Sequence, residues 1–480
     1  MKLSELTQRT PPLPLNLELE NGQVLVIEQW LRVLPEQRYV GKGQWQGRTV
    51  LAKLLIGHKA ARQYQRELLG AQLLSEQQIT SAELLDCQQQ NDGSAYLLFE
   101  FVDQAQSLAA VWQECQSDKP LSERQTAVLG AALGAVAQMH LRGLWQSDLH
   151  LDNLLQQGER LYVVDGGGVH NEHAGQPLSQ EKVIANLAVF FAQLPSAFDA
   201  HLEELLVHYL LVNGQHALRL ESLQQHILSI RTWRVKDYLK KAGRECSLFS
   251  ARVHLFGLRV VWRAAQDELE PVLSNPDAAI AAGHLYKTGG AATVARIECG
   301  QRTLVVKRYN IKNLIHWLKR LWRPSRAWHS WREGHRLSVL GIATPQPLAI
   351  IENRWCGLRG SALLISEYCG EQDIIHRLAS YQDSDAVPEA EINALTELLN
   401  ALIREKISHG DLKGHNILWH QQRCYLIDLD AMQQHRSVRR FTRAYQKDRS
   451  RLLRNWPQQS PLYKLLDQRL PQLPASCTED

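Results

Sequence analysis

The stretch from His409 to Met432 reads HGDLKGHNILWHQQRCYLIDLDAM, and the stretch from Gln146 to Val169 reads QSDLHLDNLLQQGERLYVVDGGGV. Laid on their first aspartates, Asp148 and Asp411, both carry an Asn five positions on, Asn153 and Asn416. A second Asp follows twelve residues later in each, Asp165 and Asp428. LYVVD and CYLID read as short buried strands that end on an acid. One D-x4-N arises by chance in a chain of this length. The same three-residue grid, repeated without slippage, predicts one fold written twice.

Two acids and an amide at these spacings suit phosphoryl transfer. One Asp orients an attacking hydroxyl, while Asn and the strand-terminal Asp are hard oxygen ligands for Mg²⁺ on nucleotide phosphates. The bland alternative is a polar turn whose Asp and Asn are only caps. The phosphoryl reading requires an upstream lysine on an apolar strand, followed by a helix glutamate. RTVLAKLL supplies Lys53 and RTLVVKRY supplies Lys307, with Glu67 and Glu333 behind them. The lysine-to-glutamate spacing is 14 residues in the first copy and 26 in the second, so twelve residues are inserted there. Glu100 in AYLLFEFV and Glu367 in ALLISEYC end strands that lead toward an adenine-binding hinge. Gly41 and Gly43 in GKGQWQG, and Gly289 and Gly290 in KTGGAATV, are candidate glycine loops over phosphates. After the second Asp, ANLAVFFAQLP and KDRSRLLRNWP align from Ala185 and Lys447.

A chain of 480 residues suits two domains, expected at 1–245 and 246–480. Each is read as α+β, with a small antiparallel β-rich lobe before a helical lobe. Strands are expected over about 22–56, 82–102, 283–310 and 345–369, and helices over about 58–75 and 311–340. Helical lobes follow from about 105 and 372, the first organised by TAVLGAALGAVAQMHLRG, ending near Gly143. No Gly/Ser-rich linker separates the copies; RTWRVKDYLKKAGRECSLF and DELEPVLSNPDAAIAAG read as structured bridges. Eight cysteines without a CxxC pair point to a reduced, cytoplasmic protein, and no apolar run has the length of a membrane span. The net charge of +4 conceals an asymmetry: 22 Lys+Arg against 27 Asp+Glu up to residue 245, then 32 against 23. Two runs, Arg308–Arg336 and Arg436–Arg454, each hold eight basic residues and one acid. The first interleaves Trp317, Trp322, Trp328 and Trp331, a pattern suited to a membrane–water interface. The alternative is a solvated helix face with Trp turned inward. No nucleic-acid-binding motif accompanies the charge.

With these residues in hand, the second half resembles the lipopolysaccharide core kinase family (Kdo/WaaP type), within the protein-kinase-like superfamily. VVKRY, SWREGHRLSVLGIATPQPLAI, HGDLKGHNILW and YLIDLD run in family order across roughly 283–456. The first half looks like a more distant relative. The resemblance implies an ATP- and Mg²⁺-dependent kinase, peripheral at the inner face of the inner membrane, acting on a heptose or Kdo hydroxyl of the core oligosaccharide or lipid-linked core. Asp411 and Asp148 would be catalytic, Asn416, Asp428, Asn153 and Asp165 metal-binding, and Lys307, Glu333, Lys53 and Glu67 nucleotide-binding. Neither copy keeps His-Arg-Asp or Asp-Phe-Gly, so constitutive activity is expected. The competing readings are a protein kinase, and a scaffold whose N-terminal copy is a pseudokinase.

Overall fold

The computed structural model describes residues 3–116, 118–310, 324–355, 358–384 and 386–474. The chain divides into two compact units, Met1–Trp233 and Arg234–Asp480. In the first, six antiparallel strands lie in the order Leu15–Glu18, Val24–Leu34, Arg38–Trp45, Arg48–Leu55, Ala95–Glu100, Leu84–Gln89. Alternation along RTVLAKLL sorts the two faces of the sheet. Val50, Ala52 and Leu54 join the cluster of Leu17, Leu25 and Tyr96 on one side. Leu51 and Leu55 pack on the other side against Ala60 and Tyr64 of the helix Ala60–Glu76. Lys53 shares that second face by period two, which aims it at the helix. Helices Leu108–Cys115, Glu123–Leu141, Gln180–Phe191 and Leu202–Leu210 then surround a separate apolar core.

The second unit repeats this plan with seven antiparallel strands: Phe249–His254, Gly257–Trp262, Pro347–Trp355, Leu358–Glu367, Arg302–Tyr309, Ala292–Cys299, His284–Lys287. Lys307 pairs in register with Leu364 as Lys53 does with Leu97. Each partner lies three residues before the acid that ends its strand, Glu367 or Glu100. The hairpin of Phe249–His254 and Gly257–Trp262 was not expected as sheet. It leaves Val253, Leu255 and Phe256 exposed, so the alternation that marks a half-buried strand is broken at its tip. The helix Arg326–Val339 starts just beyond Pro324, where Ser325 accepts from the Trp328 N–H at 3.1 Å. Residues 311–323 of the basic insert, including Trp317, Trp322, Lys319, Arg320 and Arg323, lie outside the described residues.

The insert's two described tryptophans correct the interfacial expectation. Trp331 is 0 % exposed and donates its indole N–H to the Ala242 carbonyl at 2.8 Å. Trp328 packs half-buried on the same cluster. Both lie on the inward stripe of an amphipathic helix, so they fasten the helix to the sheet; truncating such a core Trp to Ala costs about 3–5 kcal/mol.

In the first unit, the helix Glu123–Leu141 delivers the Asp148 loop through a buried polar chain. His140 meets the Tyr209 hydroxyl through Nδ1 and the Asn186 Oδ1 through Nε2, both at 3.0 Å. Asn186 in turn donates to the Gln146 carbonyl at 2.7 Å. Burial depresses the His140 imidazole from its usual 6.5 to about 4. A depressed histidine leaves the unfolded chain binding more protons as pH falls from 6.5 toward 4, so stability present near neutrality is lost across that window. The full contribution is on the order of 3 kcal/mol. The urea midpoint of the parent should therefore exceed that of His140→Gln most at pH 7, and the gap should close by pH 4.5. A gap independent of pH would mean that His140 titrates normally.

Candidate functional site

In each unit the loop after the first aspartate closes in the same way. Asn153 Nδ2 donates to the Asp148 carbonyl at 2.8 Å, and Asn416 Nδ2 donates to the Asp411 carbonyl at 2.8 Å. That bond engages the amide nitrogen and leaves Oδ1 as the oxygen that a cation would use. A hairpin then returns the chain to the second aspartate, Leu154–Gln157 with Arg160–Val163 or Ile417–His420 with Arg423–Leu426. Asp165 and Asp428 both sit in left-handed backbone, with φ of 67° and 59°. That conformation is uncommon outside glycine and tolerated by Asp, and it holds only where surroundings enforce it.

The surroundings are backbone braces. Gln146 Nε2 donates to the carbonyls of Val164 and Asp165, at 2.9 and 3.1 Å. His409 Nε2 meets the Ile427 carbonyl at 2.9 Å. The catalytic-type loop is gripped from the helix behind it: Asp448 accepts from the N–H groups of His409 at 2.7 Å and Gly410 at 3.0 Å. Asn186 grips the Gln146 carbonyl from the aligned position of the first unit. Asn186 and Asp448 were not among the expected site residues, although the alignment from Ala185 and Lys447 already placed them opposite each other.

The first cleft, about 700 Å³, is lined by Val40, Leu51, Lys53, Phe99, Asp148 and Asp165 among others. Lys53, 7 % exposed, bonds Glu67 Oε2 at 2.6 Å and Asp165 Oδ1 at 3.1 Å, which is the expected pair. Burial works to raise the Asp165 carboxyl, but the adjacent Lys53 charge and hydrogen bond hold it below the usual range. Asp148 has His150 Nε2 at 3.6 Å, and that contact raises the His150 imidazole above its usual value.

The second cleft, about 640 Å³, gathers Lys307, Glu367, Asn416 and Asp428 with Val294 and Leu364. Lys307 bonds Asp428 Oδ1 at 2.6 Å. Burial disfavours its charge, but Tyr309, Asp430 and Asp428 together raise its pKa above the usual lysine value. Asp428 is pushed up by burial and drawn further down by Lys307, ending below the usual carboxylate range. Asp411 is held on both oxygens, by Arg451 at 2.6 Å and Lys413 at 3.0 Å.

Two expectations are corrected here. Glu333 does not pair with Lys307; it bonds Arg336 at 2.8 Å, while Lys307 takes Asp430 Oδ1 at 3.3 Å as its second carboxylate. Asp430 Oδ1 also accepts from Tyr309 and Ser330, each at 2.7 Å. In the first unit the corresponding position is Gly167, whose N–H donates to Glu67 at 3.2 Å. A Cβ there would lie 2.8 Å from Glu67 Oε1, and one on Gly70 only 1.8 Å from the Gly166 carbonyl oxygen. Glycines thus admit the helix carboxylate in one unit, and an aspartate replaces it in the other. Gly41 and Gly43 are strand residues rather than a phosphate loop. They are buried in Arg38–Trp45, where added Cβ atoms would meet the Gln29 and Val26 carbonyls at 2.9 and 2.2 Å. Glu100 is exposed at its strand end, whereas Glu367 is half-buried in the cleft, its carboxyl raised by burial and lowered by Arg302. Gly289 and Gly290 do form a turn with positive φ, between strands His284–Lys287 and Ala292–Cys299 at the cleft rim.

This geometry belongs to a phosphotransferase. Residues 283–464 match the model of the Lipopolysaccharide kinase (Kdo/WaaP) family. Among solved structures, the chain is similar to one described as "WaaP in complex with acyl carrier protein", at 16 % identity and a TM-score of 0.32, covering 44 % of this chain and 88 % of that one. No curated protein matches.

The replacement of Glu333 by Asp430 beside Lys307 is measurable. In a Lys53→Met background, which silences the first cleft, Asp430→Ala should weaken ATP binding about tenfold, as expected for losing a charge-assisted contact worth ~1.5 kcal/mol. Glu333→Gln should weaken it less than about twofold on the same scale. Calorimetric titration reads both; a larger loss from Glu333→Gln would restore the helix glutamate as the partner of Lys307.

Proposed function

We propose that the second unit transfers the γ-phosphoryl group of ATP, with Mg²⁺, to a heptose or Kdo hydroxyl of the lipopolysaccharide inner core. The observation that supports this most is the convergence of Lys307, Asn416 and Asp428 on one cleft, with Asn416 bonded to the Asp411 carbonyl, in a segment that matches a lipopolysaccharide kinase family. The donor set fits a hard divalent cation: Asn416 Oδ1 and the Asp428 carboxylate are oxygen ligands, and Asp428 is held ionised beside Lys307. When bound, the cation neutralises charge on the nucleotide phosphates. Lys307 binds phosphate oxygens. Asp411 receives the acceptor hydroxyl and accepts its proton, with both of its oxygens oriented by Arg451 and Lys413.

The first unit is read as a second copy of the same fold that binds nucleotide and contributes less turnover. It keeps Lys53, Glu67, Asn153 and Asp165 in place. Its Asp148 has His150 where Asp411 has Lys413, and Val189 stands at the aligned position of Arg451. Among the described residues, no helix is long and apolar enough to cross a membrane. The reading places the enzyme at the inner face of the inner membrane, held by the basic insert 308–336. Arg326 is not part of that contact, because its guanidinium donates to the Ala291 carbonyl at 3.2 Å and lies 3.9 Å from Asp430.

Two outcomes follow. Asp411→Ala should lower ATP-dependent phosphorylation of core oligosaccharide by at least about 10²-fold, and Asp148→Ala by much less. Equal losses would indicate two working sites, and transfer to a generic protein substrate in place of the sugar would favour a protein kinase. Sedimentation with phosphatidylglycerol vesicles should fall as salt shortens the Debye length toward ~3 Å at 1 M. Changing Lys319, Arg320 and Arg323 to Gln should weaken it without altering ATP affinity. Unchanged sedimentation would make the insert a solvated face.

A further inference from the structure

The second basic run, Arg436–Arg454, is unused by the chemistry above apart from Arg451. It forms the helix Val438–Leu453, whose inward side buries Phe441, Tyr445, Asp448, Leu452 and Leu453. At ~100° per residue, Arg439, Arg440, Arg443, Lys447, Arg451 and Arg454 fall within an arc of about 120° on the opposite side. All six are exposed. They extend over about 22 Å at 1.5 Å per residue. The helix has one acid, Asp448, and it is turned away to the loop of His409 and Gly410. Arg449, off this face, is only 14 % exposed and is paired with Asp467 at 2.8 Å. The ordinary outer face of an amphipathic helix mixes both signs of charge; this one carries a single sign.

The fold does not require that charge. In the first unit the helix Gln180–Phe191 holds its loop through Asn186 at the position of Asp448. There the places of the six basic residues are taken by Pro177, Leu178, Glu181, Ala185, Val189 and Ala192. The same brace is thus built without one cation on that face. The row in the second unit also leads somewhere: Arg451 bonds the Asp411 carboxylate at 2.6 Å and the Gly410 carbonyl at 3.0 Å.

We infer that this helix face is the acceptor track of the second unit, and that it docks a saccharide bearing several phosphate or carboxylate groups beyond the hydroxyl to be phosphorylated. The inference rests on the assignment of Asp411 as the hydroxyl-receiving group. A ligand that ends at Asp411 and continues outward meets Arg451 first, then Lys447, Arg443 and Arg440 one helical turn apart. Phosphate and carboxylate groups spaced along a sugar chain match such a ladder, since guanidinium groups bind them by paired charge-assisted hydrogen bonds. A flat bilayer can touch the outer cations but does not carry a hydroxyl to the inner end of the row.

The test changes the outer residues only, as Arg440→Gln/Arg443→Gln/Lys447→Gln in the full chain. The probe is a lipid-free phosphorylated heptose–Kdo oligosaccharide, offered before and after phosphatase treatment. With the intact probe, KM and the directly measured binding constant should both weaken by about tenfold or more, while the loss in kcat stays small. After phosphatase treatment the parent and the variant should draw together. Unchanged binding of the intact probe would overturn the track, and so would a loss confined to phosphatidylglycerol vesicles, which would make the face a membrane contact. Binding of the probe that depends on these residues, without any phosphoryl transfer to it, would keep the track and refute the sugar-kinase reading instead.

Discussion

A lysine ammonium set against the aspartate that ends a returning strand organises both units. Lys53 meets Asp165 at 3.1 Å and Lys307 meets Asp428 at 2.6 Å. A largely buried charge is tolerated only with a partner, so each lysine must find its aspartate when the sheet closes over the helical layer. The rest of each site serves that meeting. Strand alternation aims the lysine at one face, the left-handed turn swings the aspartate back toward it, and Gln146 or His409 pins that turn by its carbonyls.

One cation beside one carboxylate still leaves each site to settle its second acid, and the two units settle it differently. Where Gly167 follows, the helix packs close and Glu67 bonds Lys53 at 2.6 Å. Where Asp430 follows, that carboxylate occupies the space, bonded by Tyr309 and Ser330, and Glu333 turns to Arg336. Crowding three carboxylates on Lys307 would raise their mutual repulsion. Giving Glu333 an arginine of its own on the same helix, at i+3, avoids this.

Charge is distributed by the same logic at larger scale. The acidic first half has Glu181, Ala185 and Val189 at the positions of its bracing helix where the basic second half places Arg443, Lys447 and Arg451. The two helices share a mechanical task, holding the loop that carries Asp148 or Asp411. Only one has the electrostatic character to engage an anion. Shared architecture and different surface charge are therefore visible in one comparison of aligned positions.

The sequence by itself determined the grid of Asp, Asn and Asp, the lysine strands, the helix before the first loop and the order of sheet and helical layers. These are set by short-range rules: period two along strands, period near 3.6 along helices, and fixed spacing along a loop. The tertiary structure alone decided which acid reaches Lys307, because Glu333 and Asp430 lie about equally well placed in a linear reading and differ only in the space that Gly167 or its replacement leaves. It also turned Gly41 and Gly43 into close contacts between strands, and Trp328 and Trp331 into packing against the sheet, since a residue's neighbour across a sheet comes from a distant segment. The hairpin at Phe249–Trp262 became visible only when Pro347–Trp355 was seen to pair with it, for a strand that exposes its tip has too weak a pattern to announce itself. Partner choice is a matter of distances through space, and those exist only once the chain has folded.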